Sequence, residues 1–241
     1  MRKLFFIPFF IGILIGSFSC NVNDLGNSTT FPATVAVVDF DMYMGTIMCT
    51  QWGNIAAPSL LLNDPGDCLF VKEFTVDYDN QPSSEYLTAT NIVKENVNKY
   101  IFEQSTSFEI GDYTLPISKL GGATSEFFKG NFFISATSKD KAPTFRLIYV
   151  AEEQEKDNVK NLYVLAKPVS SSSDDVSTFA AFDLWNFVYY LGRDTTLYYT
   201  GSTDGYNYRY NKVNLNYLSD ITDGKPIFKT IPDVITIYIP R

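Results

Sequence analysis

Apolar residues in this chain recur at every second position. Around residues 67–78, Cys68, Phe70, Phe74, Val76 and Tyr78 alternate with Asp67, Glu73, Thr75 and Asp77, and only Lys72 breaks the dry face. Successive side chains of a strand point to opposite faces, so this pattern specifies a half-buried strand and not a helix. The same reading places strands at 33–40, 45–51, 86–93, 131–138, 144–150, 162–169, 195–200, 206–217 and 233–239. Turn signals such as Asn63-Asp64-Pro65-Gly66-Asp67 and Asp79-Asn80-Gln81-Pro82 separate them. With 16 Tyr and 20 Phe the chain is rich in residues that suit pleated, half-buried surfaces. No repeat and no long amphipathic helix interrupts the pattern, and the predicted fold class is all-β. The crowded short strands of residues 33–95 predict a small barrel, and residues 123–241 predict a C-terminal β-sandwich. Between them, residues 96–122 carry the breakers Gly111-Asp112-Tyr113 and Gly121-Gly122 and read as a connector. Ser170-Ser171-Ser172-Ser173-Asp174-Asp175 reads as a solvated loop, and Trp52 and Trp185 read as core.

The N-terminus follows another logic. Met1-Arg2-Lys3 is basic, residues 4–16 are almost wholly apolar, and Ser17-Phe18-Ser19-Cys20 closes the run. That run is too short to span ~30 Å of hydrocarbon comfortably and is followed by polar chain, so it predicts a secretory signal and not a membrane helix. Residues 1–19 are the expected lipoprotein signal peptide, Cys20 the lipidated first residue, and the Asn/Ser/Thr-rich residues 20–32 a flexible tether. Acyl chains contribute about 0.8 kcal/mol per buried CH₂, so the expected location is an outer membrane or cell surface, with the membrane engaged through the lipid.

Composition excludes several classes of function. Without Arg2 and Lys3 the chain has 17 bases against 27 acids, a formal charge of −10. Nucleic acid needs a basic groove, and residues 33–95 offer only Lys72 and Lys94. There is no histidine, which removes Ser-His-Asp and Cys-His catalysis and the usual zinc, copper and haem sites. No catalytic residue, cofactor or metal site is predicted. Asp174-Asp175 and the Asp64/Asp67 pair lack calcium-loop spacing and read as solvated charge, and Met42, Met44 and Met48 read as packing residues. With Cys20 lipidated, Cys49 and Cys68 remain; they are either a disulfide or two buried thiols, and neither lies in a Cys-x-x-Cys motif.

A signal ending in Cys20, then Gly45-Thr46-Ile47-Met48-Cys49, Pro58 and Gly66-Asp67 in a barrel-like stretch, then Phe182-Asp183-Leu184 in a strand-rich one, resembles the NigD-like lipoproteins. The resemblance implies an N-terminal OB-fold, which makes the barrel of residues 33–95 OB-like, and a C-terminal β-sandwich, and it brings no catalytic residues.

For a barrel that cannot bind nucleic acid, glycan and protein partners remain. Alternation places Tyr206, Tyr208 and Tyr210 on one face of a predicted hairpin, with Tyr198 and Tyr199 on the preceding strand, where stacked rings could hold a sugar. The competing reading makes them a cover for the sandwich core. The expected function is a non-catalytic envelope module binding a protein or a glycan. Its alternatives are an accessory polysaccharide-processing lipoprotein using carboxylates, and a fimbrial-type subunit.

Overall fold

The computed structural model describes residues 27–105, 107–123, 130–150, 159–183, 199–203, 206–231 and 235–239. Their regular structure is fifteen strands and one short 3-10 turn, so the molecule is all-β.

The first part is a closed ring. It comprises β1 (Ser28–Phe31), β2 (Thr34–Asp41), β3 (Gly45–Thr50), β4 (Gly53–Ala56), β5 (Cys68–Asp77) and the start of β6 (Ala89–Ser105). β1 and β2 follow one another along the same side of β5, Phe31 opposite Phe74 and Thr34 opposite Val71. β2, β3 and β4 form a meander, the turn Pro58–Leu60 follows, and β5 pairs with β6. The Ala56 N–H donates to the Leu87 carbonyl at 2.9 Å and Ala56 bridges Thr88 in parallel, so β4 meets the entry to β6 and the ring closes. Ala36, Val38, Met48, Leu69, Val71 and Phe74 fill it.

Regular alternation along β5 does not hold. Leu69 and Val71 point into the ring, and so do Phe74 and Val76, a change of parity that requires an irregularity between them. The β5–β6 register shifts between Val71 and Thr75, which supplies it. Lys72, the apparent flaw in the alternation, marks this bulge, where an extra residue turns the following side chains to the other face. Cys68 and Phe70 consequently face outward, toward the second part of the molecule.

That second part has two sheets. The middle sheet holds β7 (Ile117–Ala123), β8 (Asn131–Asp140) and β11 (Ser171–Asp183), with β11 parallel to residues 98–101 of β6. The outer sheet holds the end of β6, β9 (Thr144–Val150), β10 (Val159–Lys167), β12 (Tyr199–Thr203), β13 (Tyr206–Thr222), β14 (Lys225–Thr230) and β15 (Ile235–Ile239). Phe132, Ile134 and Phe182 of the middle sheet meet Leu147, Leu162 and Leu215 of the outer one, the packed interior of a sandwich. The other face of the middle sheet is buried too. Phe133 and Ala181 pack on Val37, Cys49, Cys68 and Val97 of the ring. A strand covered on both sides reads as a continuous apolar run, as Phe132-Phe133-Ile134 does.

Three sequence expectations change at the level of elements. Residues 28–31, read as tether, form β1, because Phe31 stacks on Phe74 at 4.7 Å and ties the strand down. Residues 96–122, read as connector, are entered by β6, which runs unbroken to Ser105, and β7 starts at Ile117. The serine-rich segment belongs to β11, where the ladder jumps from Ser171 opposite Asp140 to Val176 opposite Ser138; the residues between are bulged out and mostly exposed. Trp52 lies at the ring's rim, its ring against Phe31 and Phe74, and is partly exposed. Trp185 lies outside the described residues.

Candidate functional site

Two stretches that carry the family resemblance, 116 positions apart, meet at one cleft of about 240 Å³. Asp39 comes from β2, Pro65 and Gly66 from the turn before β5, Lys99 from β6, Asn131 from the start of β8 and Asp183 from the end of β11. The turn is locally determined. The Asp67 carboxylate accepts from Asn63 Nδ2 at 2.9 Å and from the Asp64 N–H at 3.1 Å. Gly66 has φ +94°, a conformation that a side chain strains, and its N–H donates to the Val38 carbonyl at 2.7 Å. Lys99 Nζ donates to the Gly66 carbonyl at 3.2 Å. Asp183 arrives because β11 runs parallel to β6, with Asp183 opposite Ile101.

Beneath the cleft lies Cys68, 4% exposed, its thiol directed to the Gly66 carbonyl at 3.8 Å. Burial pushes this thiol up to about 11, against the pull of the Lys99 ammonium, and Asp67 and Asp183 add to the rise. At neutral pH it is protonated and a poor nucleophile. The arrangement can hold a polar or charged group through Lys99, the carboxylates and backbone, but Cys68 cannot attack one. Among the described residues no three His, Cys, Asp or Glu side chains converge as metal ligands.

The disulfide alternative fails on register. Cys49 and Cys68 both lie opposite Val37, one on each side of β2, so two strand spacings, about 9.5 Å, separate their backbones. A disulfide requires Cα atoms within about 7 Å, and both side chains are buried thiols.

The tyrosine hairpin forms as a backbone element. Tyr199, Gly201 and Thr203 of β12 lie opposite Tyr210, Tyr208 and Tyr206 of β13, and Tyr238 of β15 lies opposite Tyr210 on the other side. Positions 206, 208 and 210 share the sheet face opposite that of Val213 and Leu215, which enter the sandwich core. Cys20, Leu184 and Tyr198 lie outside the described residues.

One feature had no sequence signal. At the end of the ring where β2 turns into β3, large apolar side chains stand in solvent: Phe40, Met42 (89% exposed) and Tyr43 (86%) on the hairpin, Leu61 and Leu62 (99%) on the segment that crosses the same end. That segment starts where the Ala57 N–H donates to the Thr46 carbonyl at 2.8 Å and ends where Gly66 bonds Val38. Met48 is buried as expected of a packing residue, whereas Met42 is not. Lys99 was equally illegible, since the antiparallel β5–β6 register, with Cys68 opposite Val97, brings it to Gly66 and the parallel β6–β11 pairing brings it to Asp183.

A ring fused to a two-sheet sandwich, with a polar cleft at the seam, defines the class of protein. No protein-family model and no curated protein matches the sequence. Among solved structures, an uncharacterized protein from Parabacteroides merdae superposes with TM-score 0.65 at 16% identity, over 88% of this chain and 100% of its own. A "putative lipoprotein" from Bacteroides fragilis superposes with TM-score 0.55 at 16% identity, over 88% of this chain and 99% of its own. A NigD-like immunity protein from Bacteroides caccae fits at TM-score 0.46 and 11% identity over 84% of this chain and 97% of its own, too loosely to bear an argument. At such identities the likeness to the first two is one of fold.

Proposed function

We propose that this chain is a lipid-anchored cell-envelope protein, at an outer membrane or cell surface, that binds a partner without transforming it. The observation that carries the reading is the exposed apolar end of the ring, because a soluble domain gains nothing from clustering such side chains in water unless something covers them. The signal ending in Cys20 and the fold shared with a "putative lipoprotein" support the anchor. The ring itself supports an OB-type reading: a long first strand in two pieces, a meander, a short helical turn after β4, and parallel closure of β4 on the entry to β6. Cells grown with a clickable palmitate analogue should label the wild-type chain, which fractionates with membranes. The Cys20→Ser variant should take no label and lose the membrane. A wild-type chain without label overturns the anchor.

A glycan is the second reading of the partner, favoured by the register that puts Tyr199, Tyr206, Tyr208, Tyr210 and Tyr238 on one sheet face. Saturable binding on a glycan array, abolished by alanine at 206, 208 and 210, supports it, and an array with no signal removes it.

A further inference from the structure

We infer that the apolar end of the ring is a docking surface for a protein partner that presents an apolar patch rimmed by basic residues. This rests on the lipid-anchored binding reading above and names the partner's chemistry.

Scattered exposed apolar residues are ordinary on a protein surface, but five clustered on one end are not. The tip is also built to keep its shape. Asp41 Oδ1 accepts from the Tyr43 N–H at 2.8 Å and the Met44 N–H at 3.0 Å, and Gly45 closes the turn at φ +72°. Presenting apolar side chains on an ordered turn lowers the entropy lost when a partner covers them.

Charge selects the partner. Asp39, Asp41, Asp64 and Asp67 surround this end, and residues 27–93 contain one base, Lys72, among eight acids. The nearest cations, Lys94 and Lys99, are bonded to Asn63 Oδ1 and the Gly66 carbonyl. An acidic rim repels anionic lipid and anionic partners and favours a basic one. A second copy of this chain would bring the same acidic rim.

Position removes the membrane as the cover. The chain enters the ring at Asn27, beside Tyr78 and Asp79, where β5 ends, whereas the apolar tip lies where β5 begins. The ten residues of β5 span about 30 Å. The seven-residue link from Cys20 to Asn27 reaches at most about 25 Å, so an anchored chain points its tip away from the lipid.

The test uses the full-length chain in cells, with the photo-crosslinking residue benzoylphenylalanine placed at Tyr43, at Leu62, and at the exposed Val169 on the sandwich as control. The expected result is one protein adduct, from 43 and 62 but not from 169. Mass spectrometry of the adduct should give a partner whose crosslinked surface is basic. The partner is then purified and titrated calorimetrically. Tyr43→Ser with Leu62→Ser, and Asp39→Asn with Asp64→Asn, should each weaken binding about tenfold, and added salt should weaken the wild type. Adducts with a second copy, with lipid alone or with nothing overturn the inference, as does a partner whose affinity ignores the Asp→Asn changes and salt. Lipid labelling of Cys20 in the same cells separates the two claims: a missing label sinks the anchor and leaves a basic-protein adduct standing, whereas a labelled chain without adduct sinks only the docking surface.

Discussion

Truncating Phe133 should weaken the seam between ring and sandwich specifically. Phe133 is 1% exposed, lies opposite Ala181 in the middle sheet, and packs on Val37, Cys68 and Val97. Phe→Ala in a packed core costs about 3–5 kcal/mol. For a chain of this size about 2–4 °C of melting temperature is lost per kcal/mol, so Phe133→Ala should melt about 6–20 °C lower by calorimetry. Stability alone does not locate the damage, and Phe132→Ala is the comparison. Phe132 is equally buried but faces the sandwich interior, so its loss should cost a similar amount. The two differ in what they uncover. Cys49 and Cys68 line the seam, and in the native protein Phe133→Ala should speed their alkylation by iodoacetamide at least about tenfold beyond Phe132→Ala of equal stability. Equal labelling of the two variants, or a loss under about 1 kcal/mol for Phe133→Ala, would refute the reading that Phe133 holds the seam shut.

Four other outcomes follow from named groups. Denatured without reductant, the chain from residue 21 onward should show two titratable thiols, Cys49 and Cys68; an absence of thiol signal would mean a disulfide and a wrong register. Cys68 holds its proton more tightly when folded, at about 11 against an ordinary 9.0, so its contribution to stability is complete below pH 9 and is lost as pH rises toward 11. Cys68→Ala should flatten the alkaline limb of a denaturation series, and an unchanged limb refutes the shift. Burial raises the Asp140 carboxyl, but the Ala142, Val169 and Ser170 N–H groups, at 2.9, 2.8 and 2.7 Å, outweigh it and hold the pKa below the usual range. That stability is present above pH 3.8 and lost as pH falls through the lower folded value, so Asp140→Asn should be destabilised at pH 7 and lose the acid dependence in urea titrations. At the tip, Asp41→Ala removes the acceptor of two N–H groups, and hydrogen exchange at Tyr43 and Met44 should quicken about tenfold; unchanged exchange means the turn is ordered by something else.

The all-β class was legible because burial on one face leaves a period of two, and residues 144–150 read as a strand with the bounds of β9. The reading failed where that premise failed. β5 begins buried on both faces, over residues 68–71, and changes parity at a bulge, so Lys72 looked like a defect in a single face. β6 serves ring and sandwich in turn, and its polar residues Asn96, Asn98 and Lys99 masked a continuous strand as a connector. Gly66-Asp67 was legible as a turn, yet nothing local says that it meets Phe182-Asp183, because the parallel pairing of β11 with β6 joins residues about eighty apart. The apolar tip was missed for a related reason: Phe40, Met42 and Leu61 look like core in any linear pattern, and only the ring geometry leaves them outside.

Fusion of the two parts bears on what the molecule can do. Asp39 and Gly66 belong to the ring, Asn131 and Asp183 to the middle sheet, and Lys99 to the strand they share, so the cleft exists only while the seam is closed. A seam packed with Phe133, Val37 and Ala181 is a core, and it holds the ring and sandwich in one fixed relation. A hinge enzyme needs parts that part and close around substrate; here opening would expose Phe133 and both thiols to water at a cost of several kcal/mol. Rigid presentation instead lowers the ordering cost of a partner that meets the tip or the cleft as it finds them. If the tip docks the partner proposed above, variants that loosen the seam should weaken that binding although Phe133 is buried in the seam and not on the tip.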